Sequence, residues 1–391
     1  MPSSRIWKGE RMSKIDDLIA QLSPDGVGLE KLSQVCDIEN TKRKPVKASL
    51  RISGKIPYYG ANNVQDHVEG FTHDGSYVLI AEDGSADLDN YSIQYTEGKF
   101  WANNHVHVIK GKDGLNTRFL FHYLSGMNFR PFLSGGGRAK LTKGKMIEIG
   151  IPVPHPDVQE EIVDILDKFT KLEAELEAEL EAREKQYNHY RDELLSFNEG
   201  TPWFELQKIA EFKNGKGHEK NIDENGSFVV VNSKFVSTEG KVKKYSIEQI
   251  CPVFKDDILM VMSDLPNGKA LAKCFFVETD GKYTLNQRIC ALTTKNRRTL
   301  LPKFLFYILS RNKQLLRHDN GADQTNLRKG DILKIKIPVP DSEEQERIVA
   351  ILDKFDALVN DISSGLPAEI NARRQQYEYY RNQLLTFKEA V

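Results

Sequence analysis

Residues 151–169 read IPVPHPDVQEEIVDILDKF, and residues 337–355 read IPVPDSEEQERIVAILDKF; 13 of the 19 positions are identical, at an offset of 186. In each, two prolines end a strand-like run and the apolar residues then switch to helical spacing. The same strand exit and helix start thus occur twice, at nearly half the length of a 391-residue chain.

The sequence that follows each copy predicts a long helix. Ile162, Leu166, Phe169, Leu176, Leu180, Tyr187, Tyr190 and Leu194 advance in steps near those of a coiled-coil seam, which Glu173 and Arg183 interrupt. EAELEAELEAREKQ contains strong helix formers and no Gly or Pro. A helix from about Glu160 to Phe197 would be roughly 57 Å long, stopped by Asn198, Gly200 and Pro202. In the second copy Ile348, Leu352, Phe355, Val359 and Ile362 continue the seam, Gly365 ends a helix and Pro367 opens another. QYNHYRDELLSF (186–197) answers QYEYYRNQLLTF (376–387) at an offset of 190, so the second copy is longer by about one turn.

The sequence before each copy is less alike. RFLFHYL (118–124) answers KFLFYIL (303–309), and LEKLSQV (29–35) answers LQKIAEF (206–212). Between these anchors lie β-like segments such as SYVLIAEDG, HVHVIKG, SFVVVNS and DILMVMS. The expected fold is therefore α/β (α+β): two mixed domains, each followed by a long helical region. The expected boundaries are 1–27 (a segment with a short helix), 28–156, 157–200, 201–342 and 343–391. Met12 offers a second start, which would make residues 1–11 a leader.

The formal net charge of −1 conceals a partition. It is 0 for residues 1–27, +3 for 28–150, −9 for 151–200, +9 for 201–340 and −4 for 341–391. Two basic globules alternate with two acidic helical blocks, and only the former suit a polyanion. No run of 18 apolar residues suggests a membrane span, and the N-terminus lacks the apolar core of a signal peptide. Cys36, Cys251, Cys274 and Cys290 are scattered without a CxxC pair, which fits a reducing cytoplasm.

These repeats resemble the specificity (S) subunit of type I restriction-modification systems. The resemblance spans nearly the whole chain from Met12. It rests on the doubled IPVP…QExIVxILDKF, the doubled QYxxYR…LL[ST]F and the opening SKIDDLIAQLSPDGVGLEKL. It implies two target-recognition domains, each reading one half of a split, asymmetric double-stranded DNA sequence. The helices would pack antiparallel about a pseudo-twofold, set the gap between half-sites and dock two methyltransferase subunits, which restriction and motor subunits then join. It further implies a prokaryotic cytoplasmic protein that does no chemistry and holds no cofactor. S-adenosylmethionine, ATP and Mg would belong to the partner subunits.

Base readout needs side chains with paired hydrogen-bonding groups, whereas phosphate contacts need cations, hydroxyls and open backbone. In the first globule these criteria select Tyr59, Asn62 and Asn63 in IPYYGANN, and Asn103, Asn104 and His105 in FWANNHVHV. They also select Arg138, Lys140 and Lys143 in the glycine-rich SGGGRAKLTKGK. In the second globule they select Lys213, Lys216 and His218 in FKNGKGHEKN, and Asn232, Ser233 and Lys234 in VNSKF. Asn286, Gln287 and Arg288 in TLNQRIC, with Gln324, Asn326 and Lys329 in NGADQTNLRKGD, complete the set. If TLNQRIC is a strand, Asn286 and Arg288 share one face.

No P-loop, no adenine-methyltransferase [ND]PP[YF] segment and no glycine-rich S-adenosylmethionine motif occurs. His105 and His107 form an HxH without a third ligand nearby, so no metal is expected. Glu97-x-Lys99 has the form of a nuclease motif, but it also suits a turn and recurs at Glu239–Lys241. The alternatives are a coiled-coil scaffold without DNA specificity and, least favoured, a metal-dependent nuclease.

Overall fold

The computed structural model describes residues 15, 17–135, 139–265, 268, 270–319, 323–361 and 364–388. The chain forms two compact units, Met1–Glu179 with Ala368–Val391, and Leu180–Pro367. Each globule is thus grouped with the start of the helix that follows it and with the end of the helix from the other copy.

In the first unit one antiparallel sheet runs in the order Cys36–Ile38, Val106–Gly111, Tyr77–Ala81, Ile93–Thr96. A second runs Asn63–Val68, Ser53–Gly60, Lys99–Ala102, His73–Asp74. Tyr77–Ala81 is buried throughout, with Val78 and Ile80 facing the core that holds Phe119, Leu120 and Leu124 of the helix Thr117–Ser125. Asn116 starts that helix, its Oδ1 accepting from the N–H groups of Arg118 (2.7 Å) and Phe119 (3.2 Å).

The second unit repeats the first sheet as Ala210–Asn214, Ile289–Thr294, Ile258–Val261, Cys274–Phe276. Its register matches: Ala81 pairs with Val106 and Val261 with Ile289, while Ile38 pairs with Ile109 and Phe212 with Leu292. The helix Pro302–Leu309 stands where Thr117–Ser125 stands in the first unit. All four cysteines are buried and free.

The repeated IPVP closes each globule. Ile151 and Pro152 pair with Glu30 and Leu29, and Ile337 and Pro338 with Phe204 and Trp203. Each pairing is only two strands wide, so a proline N without hydrogen is tolerated there. The long helix runs Pro156–Leu194, starting four residues before the expected Glu160 because Pro156 suits a first helical position. The second copy is two helices, Ser342–Asn360 and Leu366–Leu384. The break requires Gly365: a Cβ there would lie 2.5, 2.7 and 2.8 Å from the carbonyl oxygens of Ala357, Leu358 and Asp361.

Within the first unit the helices run antiparallel. Phe169 stacks on Tyr380 at 5.2 Å, and further along Glu173 and Glu177 both accept from Arg374. Glu173 interrupts the apolar seam because it pairs across it. In the second unit Tyr187 and Tyr190 pack on Phe355 at 6.4 and 5.6 Å.

Each pair of helices also grips its globule. Asp167 accepts from His122 Nε2 and Arg118 Nε, both at 2.7 Å, and Tyr377 Oη lies 2.9 Å from His122 Nδ1. At the matching place in the second unit Asp353 accepts from Tyr307 Oη at 2.5 Å. Arg381 donates to the Ser125 carbonyl, and Arg191 to the carbonyls of Tyr307 and Ser310. The repeated YR of the helix ends is therefore a carbonyl clamp on the globule's helix.

Candidate nucleic-acid interface

The described candidate residues of the first unit lie on three segments: the end of Ser53–Gly60 and its turn, the link between Lys99–Ala102 and Val106–Gly111, and residues 140–143. Tyr59 lies on Ser53–Gly60, edge-on to Phe100 at 5.9 Å, and its carbonyl accepts from the Asn103 N–H at 3.1 Å. Asn62 occupies the hairpin turn and clamps a neighbouring loop: its amide donates to the Gly84 carbonyl at 2.6 Å, and its Oδ1 accepts from the Ala86 N–H at 2.8 Å. Asn63 closes the turn at φ 92°, a left-handed conformation that Asn tolerates.

Asn103 is buried, and its Oδ1 accepts from the His105 N–H at 2.8 Å. Asn104 and His105 are exposed at the tip, with His105 Nδ1 2.5 Å from Asp83 Oδ1. His107 is buried: Asn40 Nδ2 donates to its Nδ1 at 2.9 Å, and its Nε2–H donates to the Leu141 carbonyl at 2.8 Å. Burial pulls its pKa down, so it is a neutral core group.

Lys140 bonds Glu82 at 3.0 Å, and Arg43 bonds the same carboxylate at 2.7 Å. Burial pushes the Glu82 pKa up, but the hydrogen bonds from Arg43 and Lys140 outweigh it and hold it below the usual range. The Lys140 charge is thereby largely answered within the protein. Lys143 is exposed at the start of the short helix Lys143–Met146. Arg138 lies outside the described residues. Glu97, the first residue of the nuclease-like triplet, accepts from Tyr95 Oη at 2.5 Å, and Gly98 turns the chain at φ 74°.

In the second unit Lys213 reaches the Pro252 carbonyl at 2.6 Å, and the backbone of Lys216 bridges Asn286. His218 is buried, its nitrogens 2.8 Å from the Lys216 carbonyl and 2.7 Å from Thr284 Oγ1. Asn232 caps the helix Ser233–Ser237 by accepting from the Phe235 N–H at 2.8 Å. Ser233 Oγ is buried, and Lys234 is exposed.

TLNQRIC is not one continuous strand, so the condition for Asn286 and Arg288 sharing a face is not met. Tyr283–Leu285 ends, Asn286, Gln287 and Arg288 reverse the chain, and Ile289–Thr294 begins. Asn286 Oδ1 accepts from the Arg288 N–H at 3.5 Å, and the Asn286 N–H donates to the Val231 carbonyl at 3.1 Å. Gln287 is exposed, and its amide reaches Glu219 at 3.2 Å. Arg288 is also exposed. Gln324 donates to Ser263 Oγ at 2.7 Å, Asn326 is exposed on a two-residue strand, and Lys329 lies over the Phe212 ring at 5.3 Å.

One backbone pattern unites both sets. Glu82 N–H donates to the His105 carbonyl, and Met262 N–H to that of Arg288; Leu141 N–H donates to the Glu82 carbonyl, and Leu327 N–H to that of Met262. The same frame therefore presents Asn104 and His105 in one unit and Gln287 and Arg288 in the other. The residues selected from sequence leave out the stretch before Tyr59, where residues 40–55 hold six cations and no acid. Among the described residues no group of three His, Cys, Asp or Glu side chains is placed to hold a metal, and no helix is long and apolar enough to cross a membrane.

The family model described as the type I restriction modification DNA specificity domain matches residues 24–182 and again 198–372. A protein described as a type I restriction enzyme specificity subunit from Haemophilus influenzae is 44% identical over 374 residues, 91% of this chain and 94% of its own. The EcoR124I/EcoR124II specificity subunit of Escherichia coli is 38% identical over 261 residues, 61% of this chain and 63% of its own. The crystal structure of the type I restriction-modification S subunit from M. genitalium shares the fold. Its TM-score is 0.59 at 17% identity, covering 92% of this chain and 96% of that one. Two matched domains across the length of the chain and a close full-length relative establish that it belongs to the type I restriction-modification DNA specificity family.

Proposed function

We propose that this chain is the DNA-reading subunit of a type I restriction-modification complex, each unit reading one half of a bipartite, asymmetric target. The observation that carries this reading is the shared frame with unlike tips. Both units hold the same Asx turn, yet one exposes Asn104 and His105 and the other Gln287 and Arg288. Equal scaffolds with different hydrogen-bonding groups are what two different half-sites require.

In this reading the chain is not an enzyme and binds no cofactor. Two methyltransferase subunits dock on the helical regions and supply adenine methylation with S-adenosylmethionine. Restriction and motor subunits supply ATP- and Mg-dependent cleavage, and the complex works on double-stranded DNA in the cytoplasm. The acidic blocks suit protein partners better than DNA. Exposed Lys143, Lys216, Lys234 and Lys329 suit phosphates, which position the duplex without specifying it.

Methylome sequencing of cells expressing this chain with its methyltransferase partner tests the reading. A split motif of about 3–5 defined bases on either side of a gap is expected, given two readers at a spacing held by the protein. An undivided motif, or none, overturns it.

A further inference from the structure

A hydrogen-bonded, lysine-rich segment of the first unit presents two bare aliphatic side chains. Residues 40–65 carry Lys42, Arg43, Lys44, Lys47, Arg51 and Lys55 with no acidic residue among them. Within this run Leu50 is 70% exposed and Ile52 is 67% exposed. A single exposed leucine is ordinary, but two aliphatics side by side among lysines are a different surface.

The segment is built, not slack. Arg51 donates to the Val46 carbonyl at 3.1 Å and to Asp66 at 3.3 Å, and its guanidinium lies 4.1 Å from the centre of the buried Tyr58 ring. The Val46 N–H donates to Tyr58 Oη at 3.0 Å, and Trp101 Nε1 donates to the Lys44 carbonyl at 2.7 Å. The Leu50 N–H bonds the Lys47 carbonyl, and the Ile52 carbonyl accepts from the Glu69 N–H, both at 2.9 Å. These bonds consume Arg51 and neutralise Asp66, leaving Lys44, Lys47 and Lys55 exposed around the aliphatic tip.

The segment is continuous with the candidate interface. The Lys44 N–H donates to the Ala102 carbonyl at 3.0 Å, one residue before Asn103, and Arg43 reaches the Asn104 carbonyl at 3.4 Å. Glu69 lines the same groove as Leu50 and Ile52, so the run of three exposed lysines outweighs one exposed acid. Such an excess of cations favours a polyanion, and an aliphatic pair on a hydrogen-bonded backbone suits the apolar edge between base steps.

We infer that residues 44–55 are a second DNA contact of the first unit. Lys44, Lys47 and Lys55 take phosphates, and Leu50 with Ile52 forms a wedge against a base step. The inference rests on the DNA-reading function proposed above and deepens it. The second unit has Glu219, Asp223 and Glu224 in the matching stretch, so the wedge belongs to one half-site only.

The test uses the chain assembled with its methyltransferase subunits, on a duplex bearing the target defined by methylome sequencing, with 2-aminopurine placed along the first unit's half-site. Lys44→Gln/Lys47→Gln/Lys55→Gln should lower the slope of log K against log salt by about 2 to 3, at about 0.9 per phosphate contact. Leu50→Ser/Ile52→Ser should leave that slope intact, remove the fluorescence of an unstacked base and weaken binding about tenfold. Leu50→Met/Ile52→Leu should behave like the parent protein. If the parent complex shows no salt-dependent duplex binding, the DNA-reading function falls and this inference with it. If the parent binds and both variants match it in slope, fluorescence and affinity, only the inference is overturned. Variants that fail to assemble with the methyltransferase also overturn it, because the segment would then be a protein-docking surface.

Discussion

Asn103 and Asn286 do the same job in the two units: the Oδ1 of each accepts from the backbone N–H two residues on, and the N–H of each donates across to a strand, at Tyr59 and at Val231. Their side chains build the turn. The next two positions, Asn104 with His105 and Gln287 with Arg288, stand out from it.

Substitution separates these roles. Gln287→Ala and Arg288→Ala should relax the base preference at one half-site by about 1–3 kcal/mol per lost paired contact and leave the other half-site unchanged. Asn286→Ala should instead weaken the second unit's fold. Methylation motifs and thermal unfolding measured on the same variants distinguish the outcomes; equal loss at both half-sites would assign Gln287 and Arg288 to folding or assembly.

Gln159 and Gln345, both buried, are matched locks. Gln159 donates to the carbonyls of Gly114 (2.7 Å) and Pro154 (2.8 Å) and accepts from the Asn116 N–H (2.7 Å). Gln345 does the same with Thr299 (3.0 Å), Pro340 (2.8 Å) and Leu301 (2.9 Å). Alanine at either site strands buried backbone groups and should cost about 2–4 kcal/mol. Hydrogen exchange read by mass spectrometry should show the loss within the altered unit.

His122 should make the first unit acid-sensitive. Burial pulls its pKa below the usual value, against the opposing bond to Asp167. A histidine neutral when folded takes up its proton more readily when unfolded, so its contribution is complete above the unfolded value of about 6.5 and declines as pH falls below it. Tyr307 stands at the matching place with its pKa raised by burial, so it stays protonated through that range. Proteolytic susceptibility followed from pH 7.5 to about 5 should therefore rise first in the first unit, and His122→Tyr should reduce the difference.

Arg374 joins Glu173 and Glu177 on a half-exposed surface. Such pairs are screened, so Arg374→Ala should cost only about 0.5–1 kcal/mol, less at high salt. Denaturant titrations at low and high salt measure both effects.

The long helices were legible because helical spacing and residue propensity are local properties. The doubled IPVP…QE announced two equivalent junctions for the same reason. The purpose of the glutamine within it was not legible: two of its three partners in each copy lie more than 40 residues away in sequence.

Sequence alone determined that the chain is a duplicated globule-and-helix protein with basic globules. It could not divide polar residues into those that build a turn and those that leave it. Asn103, His218 and Asn232 had the right chemistry for DNA, yet their hydrogen bonds are made internally. Asn104, Gln287 and Arg288 looked no different, and only the fold exposed them. The physical reason is that a polar side chain serves whichever partner the backbone brings within about 3 Å. Composition and spacing do not carry that distance, and the tertiary structure sets it.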